Sequence, residues 1–340
     1  MVDRSKLINS FLKGSPWALS QRQTIAGDAS NRRYERLTLQ DGTTAILMDA
    51  PTNQGEDTRP FIEITNFLRN ANLSAPKILA QDPINGFLLL EDLGDDLFAR
   101  IVSTNPIMER LLYETATDVL LHLHEYNPPQ LSKCDAKMMT HMVSVAFTWY
   151  QFGVVGYTDR AAQTTFQSAF YSALKPLNKR TNVIIQRDYH SENLIWIPNR
   201  SGISRVGLLD YQDALIGHRA YDLVSILQDA RRDISLDVTQ DMVTRYINSS
   251  GIQYSEFMVD YALLGLQRNL RILGIFTRLS LAYGKPHYVD FIPRVWSHIQ
   301  KNLTHPVLQD IAPMIHKTLP EPTSIILQEL KEKCATIPLQ

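Results

Sequence analysis

Between residues 183 and 210 a short island of strands interrupts a part of the chain that is otherwise written in helical spacing. Val183-Ile184-Ile185 is an apolar run bounded by polar residues, Leu194 to Ile197 is a second and Val206 to Leu209 a third. Asn199-Arg200-Ser201-Gly202 supplies the turn between the last two. On the loops of this island sit Asp188, Asn193 and Asp210: a carboxylate, an amide five positions on, and a second carboxylate after the hairpin. Few folds place a strand-loop-strand-hairpin unit inside a helical body. The rest of the chain must therefore supply a fold that does.

The first ninety residues change period repeatedly. Ser5 to Leu12 is a short amphipathic helix closed by Gly14, and Trp17 to Ala26 and Arg33 to Leu39 read as strands. Asp41-Gly42 is a hairpin signal before Thr43 to Met48. A polar loop, Pro51 to Asp57, leads into a helix from Arg59 to Asn70, followed by strands Lys77 to Ala80 and Gly86 to Glu91. This order predicts a small antiparallel sheet with one helix against it. From Leu97 onward apolar residues recur at three- and four-residue spacing, with helices expected over Pro106 to Tyr126, Lys137 to Phe152, Arg160 to Lys175, Tyr221 to Asp229, Glu256 to Tyr283 and Val289 to Asn302. The expected domains are 1–93 and 94–340, joined near Glu91 to Asp95.

Composition narrows the function classes. The 340 residues carry a formal net charge of −1, which argues against nucleic-acid binding by bulk electrostatics. The longest apolar run, Tyr261 to Phe276, contains Arg268 and Arg271 and so is no membrane span. The first fourteen residues lack the apolar core of a secretion signal. Cys134 and Cys334 lie far apart and outside any paired motif, as free thiols in a reducing cytoplasm do. The expectation is a cytoplasmic protein acting on a small molecule, with neither nucleic acid nor membrane as partner. GxxxxGK[ST] and GxGxxG are both absent, which removes P-loop and dinucleotide folds.

Phosphoryl transfer asks for one Asp to accept the proton of an attacking hydroxyl and for an Asn and a second Asp to hold magnesium against the phosphates. Asp188, Asn193 and Asp210 stand in that order. Gln186-Arg187-Asp188 through Asn193, Leu209-Asp210-Tyr211-Gln212-Asp213-Ala214 and Tyr221-Asp222-Leu223 together resemble the motifs of the aminoglycoside phosphotransferase and choline kinase superfamily. That resemblance implies an α+β, protein-kinase-like bilobal fold with a small antiparallel-sheet N-lobe and a mainly helical C-lobe. It implies Asp188 as the catalytic residue, Asn193 and Asp210 as magnesium ligands, and ATP as phosphate donor. The resemblance implies that Asp222 braces the catalytic loop through backbone N–H groups, while the residues themselves read rather as a buried or helix-N-terminal Asp satisfied by such groups.

Ala26-Gly27-Asp28-Ala29-Ser30, Leu47-Met48-Asp49-Ala50-Pro51, Arg187-Asp188-Tyr189-His190, Gln228-Asp229-Ala230-Arg231-Arg232-Asp233 and Gln267-Arg268-Asn269-Leu270 resemble, more narrowly, the bacterial cell-wall amino-sugar kinases. Those enzymes phosphorylate the anomeric hydroxyl of N-acetylmuramate and N-acetylglucosamine in peptidoglycan recycling. Other alcohols of the superfamily, an aminoglycoside, choline or a homoserine-like acceptor, remain as alternatives, as does a nucleotide-binding pseudokinase.

Two departures bear on the site. Gln186 stands where the superfamily has His. On strand three, where kinase-like folds carry a phosphate-holding Lys, this chain has Met48, with Glu63 on the following helix left without a partner. Arg32 or Arg33 is the expected substitute. Nucleotide contacts are then expected from Ser30, Asn31, Arg32, Met48, Glu63, the Glu91 carbonyl and the Leu93 N–H. The turn Gly27 to Asn31 reads equally as a phosphate cover and as an ordinary hairpin turn. Substrate contacts are expected from His190, Asp213, Arg231 and Arg268, the arginines as readers of an acidic sugar's carboxylate.

Overall fold

The structure is a computed structural model, and it describes residues 4–25 and 31–338. In chain order it runs α1 (Arg4–Leu12), β1 (Gln21–Ile25), β2 (Arg33–Thr38), β3 (Thr44–Asp49), α2 (Arg59–Asn70), β4 (Ile78–Asp82), β5 (Phe87–Glu91), α3 (Phe98–Thr104) and α4 (Glu109–Leu123). It continues with α5 (Ala136–Met142), α6 (Phe152–Val155), α7 (Arg160–Leu174), β6 (Thr181–Ile185), β7 (Leu194–Trp196), β8 (Val206–Leu208) and β9 (Leu215–His218). The remainder is helical: α8 (Ala220–Leu227), α9 (Leu236–Ser250), α10 (Tyr254–Leu281), α11 (Ile292–Leu303), α12 (Ala312–Thr318) and α13 (Ser324–Glu332).

The chain divides into two compact units, Met1–Val119 with Glu192–Ala214, and Leu120–Ser191 with Leu215–Gln340. The boundary expected at 93/94 falls inside the first unit, because the β7–β8 hairpin is bonded to the N-terminal part. Leu208 N–H donates to the Ser74 carbonyl at 3.0 Å and Trp196 N–H to that of Asp96 at 2.7 Å.

In the first unit the five strands pair antiparallel in the order β1-β2-β3-β5-β4. Strand alternation sends Leu37, Ala45, Leu47, Phe87 and Leu89 to one face, where Ile8 and Leu12 of α1 cover them. Met48, Leu88 and Leu90 are buried on the opposite face. α1 is also tied down at its start, where Arg4 pairs with the buried Asp49 and donates to the Asn85 carbonyl at 2.9 Å. The strand expected from Trp17 begins only at Gln21. Pro16–Leu19 winds as a 3₁₀ turn capped by the Ser15 hydroxyl, which accepts the Trp17 N–H.

In the second unit β6 pairs with β9, a strand the sequence hides because Gly217 interrupts its apolar run. The glycine is required: a Cβ there would stand 2.4 Å from Ile185 Cδ1. The helix expected over Lys137 to Phe152 is broken, with α5 ending at Met142 and Ala146–Gln151 winding as a π-helix. The long buried α10 runs against the backbone there, since a Cβ on Gly274 would lie 2.3 Å from the Val145 carbonyl. Sequence spacing also passes over α3, α9, α12 and α13. Both cysteines are free. Among the described residues no helix is long and apolar enough to cross a membrane.

Candidate active site

In the second unit the buried strand β6 delivers the chain into the loop that carries Asp188. Directly after β6, Asp222 in the first turn of α8 accepts the N–H groups of Gln186 at 2.6 Å and Arg187 at 2.9 Å. Asp222 is wholly buried, and burial raises its pKa to about 6 against the pull of those two N–H groups and of Arg268. The bracing role expected for Asp222 is what these bonds describe. Gln186, in place of His, is itself buried and takes part through its backbone.

Arg187 lies in the left-handed region, φ 72°, a conformation that costs a residue with a Cβ and must be held by its surroundings. It is held from both sides. Its N–H goes to Asp222, and its carbonyl accepts Arg268 Nη1 at 2.9 Å and the Ser225 hydroxyl at 3.3 Å. Arg268 is buried on α10 with its guanidinium turned to this carbonyl. Of the two arginines expected to read a substrate carboxylate, Arg268 is therefore built into the loop's support.

Asp188 is partly buried. Burial drives its pKa up, but the charges of Arg268, Arg271, His190 and Arg187 outweigh it and hold the carboxyl below its ordinary range. His190 is buried, and that burial lowers its pKa to about 4, against the pull of Asp229. Arg231 Nη1 lies 3.4 Å from His190 Nε2, and its guanidinium stands 5.8 Å from the Phe276 ring centre. His190 and Arg231 are thus brought together on the side of the loop that carries Asp188.

In the first unit, Asn193 and Asp210 face each other across the β7–β8 hairpin. Leu209 N–H donates to the Asn193 carbonyl at 3.0 Å, and Asn193 Nδ2 lies 3.4 Å from Asp210 Oδ2. Gln212 Nε2 donates to Asp210 Oδ1 at 2.8 Å. Asp210 has φ 57°, which Asp tolerates better than most residues. The next residue anchors it: the Tyr211 ring stacks on Phe61 of α2 at 5.1 Å, and its hydroxyl bonds Thr65 at 2.7 Å. The donor set suits a hard divalent cation. It joins a carboxylate to an amide whose nitrogen faces that carboxylate, leaving the amide oxygen as the ligating atom.

The nucleotide contacts expected from the sequence separate. Ser30 lies outside the described residues. Asn31 is exposed, its N–H 3.2 Å from Glu56 Oε1. Arg32 pairs with Glu56 at 2.8 Å and donates to the Tyr34 hydroxyl. Burial raises the pKa of Tyr34, and the Asp210 carboxylate adds to the rise, so Arg32, Tyr34 and Asp210 share one neighbourhood. Arg33 is exposed. Met48 is buried between Tyr34 and Leu88 in the sheet. Glu63 is exposed, on the side of α2 away from Phe61, Ile64, Thr65 and Leu68, so the structure does not bring it to β3.

Glu91 is engaged through its side chain by Arg200 at 2.5 Å and by the Lys77 N–H at 3.0 Å, and its backbone N–H donates to the Lys77 carbonyl at 2.8 Å. Leu93 packs on β8, where a Cβ on Gly207 would meet it at 2.9 Å. Arg36 holds Asp92 at 2.6 Å and Asp95 at 2.8 Å on either side of Gly94. Asp213 is exposed on the turn after Asp210. Glu56, Tyr34 and Arg36 were not singled out from sequence, and Gln212, Ser191 and Asp229 entered only as members of motif runs with no role of their own. For Gln212, Ser191 and Asp229 the signal was that membership; Glu56, Tyr34 and Arg36 carried none.

The family model described as "Phosphotransferase enzyme family" matches residues 21–256. An N-acetylmuramate/N-acetylglucosamine kinase of Caulobacter vibrioides is 33% identical over 92% of this chain and 96% of its own length. One of Pseudomonas putida is 29% identical over 91% of this chain and 92% of its own. Among solved structures, choline kinase LicA from Streptococcus pneumoniae superposes with a TM-score of 0.60 at 12% identity, over 88% of this chain and 99% of that one. The ADP-bound aminoglycoside phosphotransferase APH(2'')-Ib does so with a TM-score of 0.54 at 10% identity, over 97% and 95%. Similarity at that level speaks for the protein-kinase-like fold with its sheet lobe and helical remainder.

Proposed function

The chain belongs to the phosphotransferase enzyme family, and from that premise we propose that it is an ATP-dependent sugar kinase acting on the anomeric hydroxyl of N-acetylmuramate or N-acetylglucosamine. One observation carries the substrate. Four curated relatives bear that same kinase name at 29–33% identity over 81–92% of this chain. The choline kinase and aminoglycoside phosphotransferase structures, at 10–14% identity, support the fold alone.

In this reading the anomeric oxygen attacks the γ-phosphorus, the bond from that phosphorus to the β–γ bridging oxygen breaks, ADP leaves, and the hydroxyl proton passes to Asp188. The cations around Asp188 keep it ionised and a weak base. An anomeric hydroxyl is more acidic than an ordinary alcohol, so it asks less of that base. Asp222, Ser225 and Arg268 hold the loop so that Asp188 meets the hydroxyl in one orientation. Asn193 and Asp210 are the groups proposed to hold Mg²⁺, which when bound neutralises the phosphate oxygens.

Adenine is assigned to the Glu91 carbonyl and Leu93 N–H, and the phosphates to Arg32 and Asn31 in place of a strand-three Lys. Arg231 and His190, with Asp213 nearby in sequence to Asp210, are assigned to substrate, and Arg231 to its carboxylate. The setting is the cytoplasm, with a small molecule and neither nucleic acid nor membrane as partner.

The test is ATP consumption across N-acetylmuramate, N-acetylglucosamine, an aminoglycoside, choline and homoserine, with the phosphorylated position read by phosphorus NMR. Turnover confined to the two amino sugars, with phosphate on the anomeric oxygen, supports the reading. Turnover only with choline or an aminoglycoside overturns the substrate, and nucleotide binding with no turnover overturns the enzyme. Asp188→Ala is expected to lower kcat roughly 100-fold or more while leaving ATP binding near native.

A further inference from the structure

We infer that Asp229 is a positioning residue that locks the catalytic loop at its far end and fixes Arg231 at a set distance from Asp188. The inference rests on the role of Asp188 proposed above. Asp222 holds the near end of the loop through Gln186 and Arg187. Asp229 stands seven residues later, two positions beyond the end of α8. From Asp222 to Leu227 the helix rises about 7–8 Å, and Gln228 then leaves the helical conformation. The chain leaving that helix therefore offers a second carboxylate to the other end of the loop.

The bonds are specific. Asp229 Oδ2 accepts the Ser191 hydroxyl at 2.6 Å and the Ser191 N–H at 3.3 Å, and Oδ1 accepts the Arg231 N–H at 2.9 Å. The carboxylate is buried, 1% exposed, so no water competes for these donors. Burial alone would push its pKa up; His190, the Ser191 and Arg231 bonds and the Arg231 charge hold it down, so it stays an acceptor on both oxygens.

One carboxylate thus joins the segment bearing Asp188 and His190 to the segment bearing Arg231, whose guanidinium reaches back to His190 Nε2. A substrate gripped by Arg231 at one end and presented to Asp188 at the other is measured against that spacing. A carboxamide cannot replace the carboxylate. It has one acceptor oxygen, and its NH₂ would face either the Ser191 or the Arg231 donor.

Asp229→Asn is expected to lower kcat about 100-fold, the scale of an ångström-level misplacement, and to erase any preference for N-acetylmuramate over N-acetylglucosamine. Ser191→Ala loses one of the three bonds and leaves Arg231 in place, so kcat should fall about tenfold with the sugar preference intact. Ser191→Thr keeps the hydroxyl and should restore kcat to within about threefold of native.

The experiment measures kcat and KM for both sugars in these variants beside Asp188→Ala, with thermal melting as the control for folding. A merely structural Asp229 would lower the melting temperature and leave kcat and preference of the folded enzyme unchanged, which overturns the inference. If Asp229→Asn does not fold, Ser191→Ala decides. A loss of kcat rescued by Thr supports the inference, and native kcat overturns it. Full activity in Asp188→Ala would instead sink the proposed function, so the two failures are distinguishable.

Discussion

The Arg32 guanidinium and the Glu56 carboxylate close an ion pair of 2.8 Å beside Tyr34, with both side chains only 13% exposed. Arg32 is the cation proposed above to stand in for a strand-three lysine. Its neighbour Arg33 points to solvent. Sequence alone treats the two arginines as equals, and the structure separates them. Arg32→Ala is expected to raise the KM for ATP about tenfold, the effect of losing one charge-assisted phosphate contact, while Arg33→Ala changes it less than about twofold. Steady-state kinetics at saturating sugar checks this. Equal effects in both variants would contradict the assignment, and so would a fall in kcat alone.

That separation marks the limit of what was legible in the residues. The strand-loop-strand-hairpin island, the sheet strands from Arg33 to Glu91 and the pairing of Asn193 with Asp210 were readable because alternation, turns and spacing are local. The bracing of the loop by Asp222 was implied by the family resemblance alone. The residues by themselves read as a buried or helix-N-terminal Asp satisfied by backbone N–H groups, and the two N–H bonds are seen only in the fold. What escaped depends on partners distant in sequence. Arg268 reads as a free cation until its guanidinium is seen on the Arg187 carbonyl, 81 residues away. Glu63 is the acid that helix spacing offers to strand three, yet the apolar residues of α2 claim the inward face and turn it to solvent. Gly217 reads as a strand breaker until Ile185 is seen packed against it.

Arg268 and Arg231 should therefore fail in different ways. Arg268→Ala removes a buried guanidinium and leaves the left-handed Arg187 without its strongest carbonyl partner. Expected outcomes are a loss of about 2–4 kcal/mol in stability and a lower kcat for both sugars, with their ratio unchanged. Arg231→Ala should raise the KM for N-acetylmuramate about tenfold or more and leave that for N-acetylglucosamine within about twofold. Urea unfolding and parallel kinetics on the two sugars separate the cases. A shift in sugar preference from Arg268→Ala would refute its structural role.

Acid should destabilise the fold by way of its histidines. His190 is pushed by burial to about 4 and His124, bonded to the Tyr246 hydroxyl at 2.6 Å, to about 3, both from 6.5. Between pH 6.5 and 4 the unfolded chain binds these two protons and the native protein does not, so stability falls as pH falls. Asp222 acts in the opposite sense. Its folded pKa of about 6 lies above the ordinary 3.8, so the native state binds that proton first and gains stability as pH drops through this window. Burial also holds His298 below 6.5, so the histidine protons outnumber the one on Asp222 and stability falls by about 1 kcal/mol per pH unit. Unfolding free energies at pH 6.5, 5.5 and 4.5 test it. His124→Gln should flatten the slope and Asp222→Asn should steepen it, and a slope of the opposite sign would refute the balance.

The last relationship orders two hydroxyls behind Asp210. Thr65 Oγ1 donates its proton to the Phe61 carbonyl at 2.7 Å, so in the 2.7 Å contact with Tyr211 the tyrosine is the donor and Thr65 the acceptor. Both groups are buried, and the two substitutions are therefore unequal. Tyr211→Phe removes a donor and leaves Thr65 still bonded to Phe61, at a cost of about 1 kcal/mol. Thr65→Val leaves the Tyr211 hydroxyl buried without an acceptor, which costs about 1–3 kcal/mol. The double variant removes both polar groups and should be more stable than Thr65→Val alone. A double-mutant cycle by chemical denaturation reads this coupling directly. Because Tyr211 adjoins Asp210 in a left-handed turn, both single variants should also raise the Mg²⁺ concentration needed for half-maximal activity. Strict additivity in the cycle, together with an unchanged Mg²⁺ requirement, would show that the Thr65–Tyr211 bond has no hold on Asp210.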